Sequence, residues 1–123
     1  MVWAANAHIS KMEEEFMKGK VMGAEFLKLT NRKTYHVAFA PVKMPYRKPS
    51  FILSQAKESN NLLNLLPDVE GNTMILSELI QRENPAVTDK KYVGMFGMGN
   101  VSFDYFKHFD ALVFIGNGEV AKF

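Results

Sequence analysis

The 123-residue sequence predicts a mainly β fold, a small five-stranded Greek-key barrel with one or two short helices. Three observations carry this prediction. Aromatic residues make up 12% of the chain, and aromatic side chains favour strands over helices. Several short apolar runs are separated by glycine, proline or asparagine, which is typical of strands joined by turns. The length suits one domain over residues 1–123 with a single core.

The first predicted element is a short helix at about residues 11–18. Ser10 and Glu13 have the spacing of a capping box, in which each side chain accepts a hydrogen bond from a backbone N–H group at the helix start. Gly19 then ends the helix, since glycine is the residue most often found just beyond a helix C-terminus.

Two strands, 21–29 and 34–42, are predicted to form a hairpin across the polar residues 30–33. The second strand alternates with a period of two, so Tyr35 and Phe39 point to the same side of it. On a small barrel that side faces either the core or an open binding groove, and the pattern is compatible with both.

The remaining elements are short and are bounded by loop signals. Three prolines space out a basic connector around 43–48, because proline lacks the N–H group that a central strand position needs. A helix of one or two turns is predicted at 60–66. The segment 73–82 fits either a helix or a buried strand, and we favour the strand. Further strands are predicted at 51–55, 92–96, 101–106 and 111–115, with a turn at 116–118 that folds the chain back onto 119–123.

The order of these elements predicts the kind of barrel. Five or more short strands, with the helix 60–66 between the third and the fourth, are typical of a small Greek-key barrel of the OB type. An open β-sandwich is the alternative that the same elements allow.

The composition bears on the compartment. The chain has no cysteine, which removes disulfides, thiol catalysis and Cys-based zinc sites, and which fits a reducing interior. No uninterrupted apolar run exceeds the length of 111–115, which is far shorter than the roughly 18 residues of a membrane span. The first residues also lack the pattern of a secretory signal. We therefore expect a cytoplasmic protein with no membrane partner.

No catalytic motif is visible in the sequence. No serine lies in a nucleophile elbow, and the glycine-rich run 94–99 has the spacing of neither a dinucleotide fingerprint nor a phosphate-binding loop. Asp104, His108 and Asp110 form the one set that suggests a metal-dependent nuclease, which is the least favoured hypothesis. We expect neither enzymatic activity nor a cofactor.

Basic residues are concentrated in one third of the chain. Residues 16–57 hold nine basic groups against Glu25 alone, although the net charge of the protein is only +2. Such asymmetry indicates a polyanionic partner, and a solvated lysine-rich face is the alternative. Four aromatic residues lie among these charges, namely Tyr35, Phe39, Tyr46 and Phe51. Because rings among cations suit stacking on unpaired bases, we expect single-stranded nucleic acid as the partner.

The C-terminal third indicates self-association. Residues 92–123 contain eight aromatic side chains, more than a small barrel easily buries within one chain. We therefore expect a homo-oligomer, a dimer or a higher species.

The segment 20–42 resembles the first hairpin of single-stranded DNA-binding proteins. More narrowly, the chain is similar to the small versions encoded by bacteriophages of low-GC Gram-positive hosts. This resemblance implies an OB fold, no catalysis, and coating of unpaired DNA during phage replication or recombination in the host cytoplasm. It also implies that Tyr35 and Phe39 stack on bases and that Lys28, Arg32 and Lys33 form a basic rim.

The rest of the predicted DNA-binding set depends on charge and aromatic character alone. It comprises Lys43, Tyr46, Arg47, Lys48 and Phe51. Phage recombination proteins are expected as further partners, although the chain lacks the acidic tail through which the bacterial family recruits partners. The alternative function is a small oligomeric virion or host-interaction protein, such as an inhibitor, that binds no nucleic acid.

Overall fold

A three-stranded mixed sheet is the centre of the protein. The computed structural model describes residues 4–14, 19–43, 59–67, 71–93 and 101–117. The strands are β1 (Val37–Lys43), β2 (Thr73–Leu76) and β3 (Ala111–Asn117), in the spatial order β1-β3-β2. β3 runs parallel to β1 and antiparallel to β2, so the last described strand is the central one.

Short helices connect and flank the strands. Within the described residues four are α-helices: α1 (Met22–Leu29), α2 (Ser77–Glu83), α3 (Pro85–Thr88) and α4 (Tyr105–His108). The same residues contain two 3-10 helices, at Asn6–Ile9 and Leu62–Leu65. α3 begins at a proline, where the missing N–H group costs no helical hydrogen bond. None of the helices in the described part of the chain has the length and apolarity needed to cross a membrane.

One face of the sheet builds the core. Ala38 lies opposite Leu112 and Ala40 lies opposite Phe114, and all four side chains are buried. The small alanines of β1 make room for the bulky residues of β3 and for the segments packed on them. Those segments contribute further buried side chains, including Leu62, Leu63, Tyr92, Phe103, Tyr105, Phe106 and Phe109.

The prediction of a five-stranded Greek-key barrel is wrong. The described strands form an open mixed sheet of three strands, and β1 pairs with β3 instead of with residues 21–29. The expected hairpin is therefore absent from the described chain, because 22–29 is the helix α1. Gly23 explains how α1 fits, since a Cβ atom there would lie 2.4 Å from the carbonyl oxygen of Ser10. Only glycine permits so close a helix–backbone approach at this point.

The individual elements agree with the sequence to different degrees. The strands expected at 34–42 and 111–115 are confirmed as β1 and β3, and the helix at 60–66 as a 3-10 turn. The segment 73–82 is half strand and half helix, because β2 runs directly into α2. The strand expected at 101–106 is reduced to a single bridge between Phe103 and Tyr92, after which α4 begins.

Several predicted elements lie wholly or partly outside the described residues. The strands at 51–55 and 119–123 are outside them, as are 94–96 and the second half of the expected helix at 11–18. In its described first half, residues 11–14 are not helical and the Ser10–Glu13 capping box does not form.

The aromatic excess of the C-terminal third is largely core. Six of its aromatic side chains are buried: Tyr92, Phe103, Tyr105, Phe106, Phe109 and Phe114. Phe96 and Phe123 lie outside the described residues. The six described aromatic side chains therefore give no reason to expect self-association. The homo-oligomer stays a prediction.

Candidate nucleic-acid interface

β1 presents its aromatic side to solvent. Tyr35 is 64% exposed and Phe39 is 38% exposed, whereas His36, Ala38 and Ala40 between and beyond them are buried. The alternation of side chains with a period of two is therefore confirmed. The side that carries Tyr35 and Phe39, which the pattern alone could not assign to core or solvent, faces away from the core. Tyr35 lies two residues before β1 begins at Val37, in the segment that leads into the strand.

A row of apolar side chains continues from Phe39 across the sheet. Phe39 lies opposite Val113 on β3, and Val113 lies opposite Met74 on β2. Residues paired in this way point to the same face. We call this row together with Tyr35 the open face. Met74 is 61% exposed, and with strands roughly 4.8 Å apart it lies on the order of 10 Å from Phe39. Sequence reasoning missed Met74, because nothing local signals which strands become neighbours.

Two cations stand at the approach to the open face. Arg32 and Lys33 are exposed in the turn between α1 and β1, just before Tyr35. The backbone N–H of Arg32 donates to Thr30 Oγ1 at 3.2 Å, which shapes the turn. Neither side chain forms an ion pair with an acidic group of the described residues.

Lys28 is a different kind of cation. Its Nζ lies 2.7 Å from Glu25 Oε1 and 3.3 Å from Glu13 Oε1, so two carboxylates compete with any phosphate for it. The hydrogen bond to Glu25, followed by that to Glu13, raises the pKa of Lys28 above its ordinary value. Of the basic rim expected from the resemblance, Arg32 and Lys33 directly precede Tyr35 and pair with no acidic group of the described residues, whereas Lys28 belongs to an ion-pair cluster on α1.

The other predicted site residues fall at or beyond the end of β1. Lys43 is the last residue of the strand, and the position of its side chain is outside the description. Tyr46, Arg47, Lys48 and Phe51 also lie outside the described residues. Of the predicted set, Arg32, Lys33, Tyr35 and Phe39 are thus described as exposed side chains within one short stretch of the chain.

The edge of β1 that faces away from β3 is covered by a side chain. Asn6 Nδ2 donates to the carbonyl oxygen of Phe39 at 2.8 Å, and the N–H of Phe39 donates to Asn6 Oδ1 at 3.0 Å. Because backbone groups alternate along a strand, Pro41 turns the same way as Phe39. Its missing N–H group therefore interrupts no bond to β3, which is the placement expected of a strand proline.

A buried Ser–His–Glu cluster lies apart from the open face. Ser10 Oγ is 2.6 Å from His108 Nδ1, and His108 Nε2 is 3.0 Å from Glu14 Oε1. Ser10 and His108 have no accessible surface, so this conformation offers the hydroxyl to no substrate. In the neutral His108 ring with Nδ1 unprotonated, the Ser10 hydroxyl donates to Nδ1. In the charged ring both nitrogens donate, and the Ser10 hydroxyl then donates to the carbonyl oxygen of Met12 at 2.8 Å.

The protonation of His108 is set mainly by burial. Desolvation of the ring lowers the pKa of His108 below its ordinary value of 6.5, and the Glu14 carboxylate opposes this only in part. The ring is neutral at pH 7, and the cluster joins the N-terminal segment to α4.

The acidic residues around His108 do not form a metal site. Asp110 pairs with Lys11 and accepts the N–H of His36 at 2.7 Å, while Asp104 pairs with Lys107 at 2.7 Å. Within the described ranges, no three histidine or carboxylate side chains are grouped so that they could hold a metal ion. The arrangement gives no support to the nuclease hypothesis.

Comparison of the chain with protein-family models, with curated proteins and with solved structures finds no match. The functional interpretation therefore depends on the geometry of the open face.

Proposed function

We propose that the protein binds single-stranded DNA on the open face, without strong sequence preference. The observation that carries the proposal is the exposure of Tyr35 and Phe39 on one side of the β1 chain, directly after Arg32 and Lys33. Such binders combine cations that contact phosphates with rings that stack on bases, and every base has a face to stack.

The dimensions of the open face suit a flexible single strand. Tyr35 and Phe39 are four residues apart in extended chain, which corresponds to roughly 13 Å. A duplex hides the faces of its bases, whereas unpaired bases can be splayed onto separate rings of a sheet. Met74 extends the apolar surface in the direction across the strands.

The role that we attach to this binding is coating of unpaired DNA during replication or recombination, in the cytoplasm. The role comes from the resemblance alone, and the hairpin in 20–42 on which the resemblance was based is not formed, because 22–29 is helical. The absence of cysteine favours the reducing compartment. The open sheet is not the OB barrel of that family, so the proposal depends on the open face and not on the fold.

The test is a titration of a fluorescent oligo-dT with the full chain, followed by anisotropy at several salt concentrations. We expect tighter binding to oligo-dT than to a duplex of equal length. The logarithm of affinity should fall with that of salt at a slope of about −3 to −4, if about four to six phosphates are contacted at about 0.7 each. Equal affinity for the duplex, or binding independent of salt, would contradict the proposal. An oligo-U arm reports whether RNA is also bound.

One observation favours the alternative of a protein-interaction domain. α1 exposes Met22, Phe26 and Leu29, which lie on one helix face at the spacing i, i+4 and i+7. A chain that binds no oligonucleotide but sediments faster as its concentration rises, and no longer does so after Phe26→Lys, would support this second candidate.

A further inference from the structure

Residues 6–14 form a segment, here called the N-terminal strap, that lies against the outer edge of β1. Its first contact is the double hydrogen bond between the Asn6 amide and the backbone of Phe39, at 2.8 and 3.0 Å. A neighbouring strand would bond the same two groups, so Asn6 takes the place of a strand at this position.

The strap is fixed at further points, all of them C-terminal to Asn6. His36 Nδ1 lies 2.6 Å from the carbonyl oxygen of Ile9, so this nitrogen carries the proton and donates it. The N–H of Lys11 donates to the carbonyl of His108 at 3.1 Å, and its side chain pairs with Asp110. Asp110 in turn accepts the N–H of His36, which closes the connection between the strap and the start of β1.

These contacts bear on the two aromatic side chains of the open face. His36 directly follows Tyr35, and Asn6 bonds Phe39 itself, so the strap holds the β1 chain at the positions that carry the rings. Among the described strands β1 is at the edge of the sheet, with its ladder to β3 on one side, and Asn6 of the strap bonds its outer side. A backbone fixed before binding has less freedom to lose when a ligand binds.

We propose that Asn6 is a positioning residue for the DNA-binding face. It holds the outer edge of β1 so that Tyr35 and Phe39 keep one spacing and one orientation, and binding then costs less ordering of the chain. This inference rests on the proposed function.

The test compares Asn6→Ala with Asn72→Ala, a matched control on the other side of the sheet. Asn72 Oδ1 accepts the N–H of Gly116 at 3.2 Å, so each substitution removes an asparagine that bonds a strand backbone. We expect Asn6→Ala to weaken oligo-dT binding roughly threefold to tenfold, the cost of ordering one or two side chains, and Asn72→Ala to change it less than about twofold.

Two further measurements separate positioning from general loosening. Hydrogen exchange of the Phe39 amide should accelerate in Asn6→Ala, while that of Leu112 in the central strand should not. Asn6→Asp keeps an acceptor for the Phe39 N–H but cannot donate to its carbonyl at neutral pH, so its affinity should lie between those of Asn6→Ala and the unmodified protein.

The outcomes are distinct. If the unmodified protein binds oligo-dT and Asn6→Ala binds equally well, or if both alanine variants lose affinity equally, the positioning role is overturned and the interface stands. If the unmodified protein does not bind oligo-dT, the proposed function is overturned and the positioning role with it.

Discussion

The protein uses aromatic side chains in two opposite ways. Around β3, Phe103, Phe109 and Phe114 are at most 1% exposed, whereas Tyr35 and Phe39 on the β1 chain are 64% and 38% exposed. Both groups occur in short strand-like runs of similar composition. The difference lies in the face of the sheet to which each ring points. Phe114 points into the layer of packed segments, while Phe39 points out of the opposite face.

The contrast also appears within single strands. On β3, Phe114 is fully buried and its neighbour Val113 is only half-buried, because successive side chains point to opposite faces. On β1, buried Ala38 and Ala40 flank exposed Phe39. Burial in this protein is thus a property of a position in the sheet and not of the residue type, and the exposed rings are candidates for contacts with another molecule.

The largest expected effect comes from breaking the buried group. Phe114→Ala should lower the free energy of unfolding by about 3–5 kcal/mol, because it removes a fully buried ring and leaves a cavity in a core that cannot close it. The matched variant Phe39→Ala should cost less than about 1 kcal/mol, since that ring keeps part of its surface in water. Urea unfolding of both variants is the measurement. Equal losses would mean that the two regions do not differ in packing.

The exposed group should respond in binding instead of stability. Tyr35→Ala and Phe39→Ala should each weaken oligo-dT binding by about 1–3 kcal/mol, the value of one stacked base, with little change in melting temperature. Leu79→Ala, which removes an exposed apolar side chain from α2, is the control and should bind normally. A Tyr35→Ala protein that binds as tightly as the unmodified chain would remove the main aromatic contact from the proposal.

The pH dependence of stability tests the buried region through His108. Burial lowers the pKa of His108 in the folded chain, so below about pH 6.5 the unfolded chain takes up the proton first. Stability should therefore be complete above that pH and decrease as the pH falls from 6.5 through the lowered folded-state pKa. Thermal melts between pH 8 and 5 measure this. His108→Gln should reduce the dependence, whereas His8→Gln, which changes an exposed ring, should leave it intact.

The smallest expected effect concerns the cations next to the exposed rings. Replacing Arg32 and Lys33 together by alanine should make the salt slope of oligo-dT binding less steep by about 1.4, at about 0.7 for each lost phosphate contact. Lys28→Ala should change the slope less, because Glu25 and Glu13 already hold that side chain. Anisotropy titrations at several salt concentrations provide both numbers. An unchanged slope in the double variant would exclude these two residues from the interface.

Local sequence patterns predicted the secondary structure correctly where each pattern was compatible with one kind of element only. The alternation in 34–42 and the apolar run 111–115 predicted β1 and β3, since period-two burial and short apolar runs bounded by turns are strand properties. The segment 21–29 had two solutions, because its apolar residues fit a strand and a helix alike. The helix is the form that packs against Ile9 and Ser10, because Gly23 lies close to their backbone. No local sequence pattern predicts that contact.

The capping-box pattern of Ser10 and Glu13 is a second case in which a distant contact decides the local structure. Ser10 and Glu13 match a helix start, yet the Ser10 hydroxyl lies 2.6 Å from a ring nitrogen of His108, 98 residues away in sequence. A buried hydroxyl needs a partner, and the tertiary structure supplies a distant one beside the N–H group of Met12, which lies 3.4 Å from Ser10 Oγ without a helix following it.

The sequence by itself determined that Tyr35 and Phe39 share one side of an extended chain, because the side-chain period of a strand is a covalent property of the backbone. It also determined the concentration of basic charge on both sides of that strand in the sequence. Only the tertiary structure decided that this side faces solvent, that Met74 joins it across β3, and that Lys28 is taken up by carboxylates. Each of these three features depends on which distant segments pack together. A local sequence pattern gives no information about that packing.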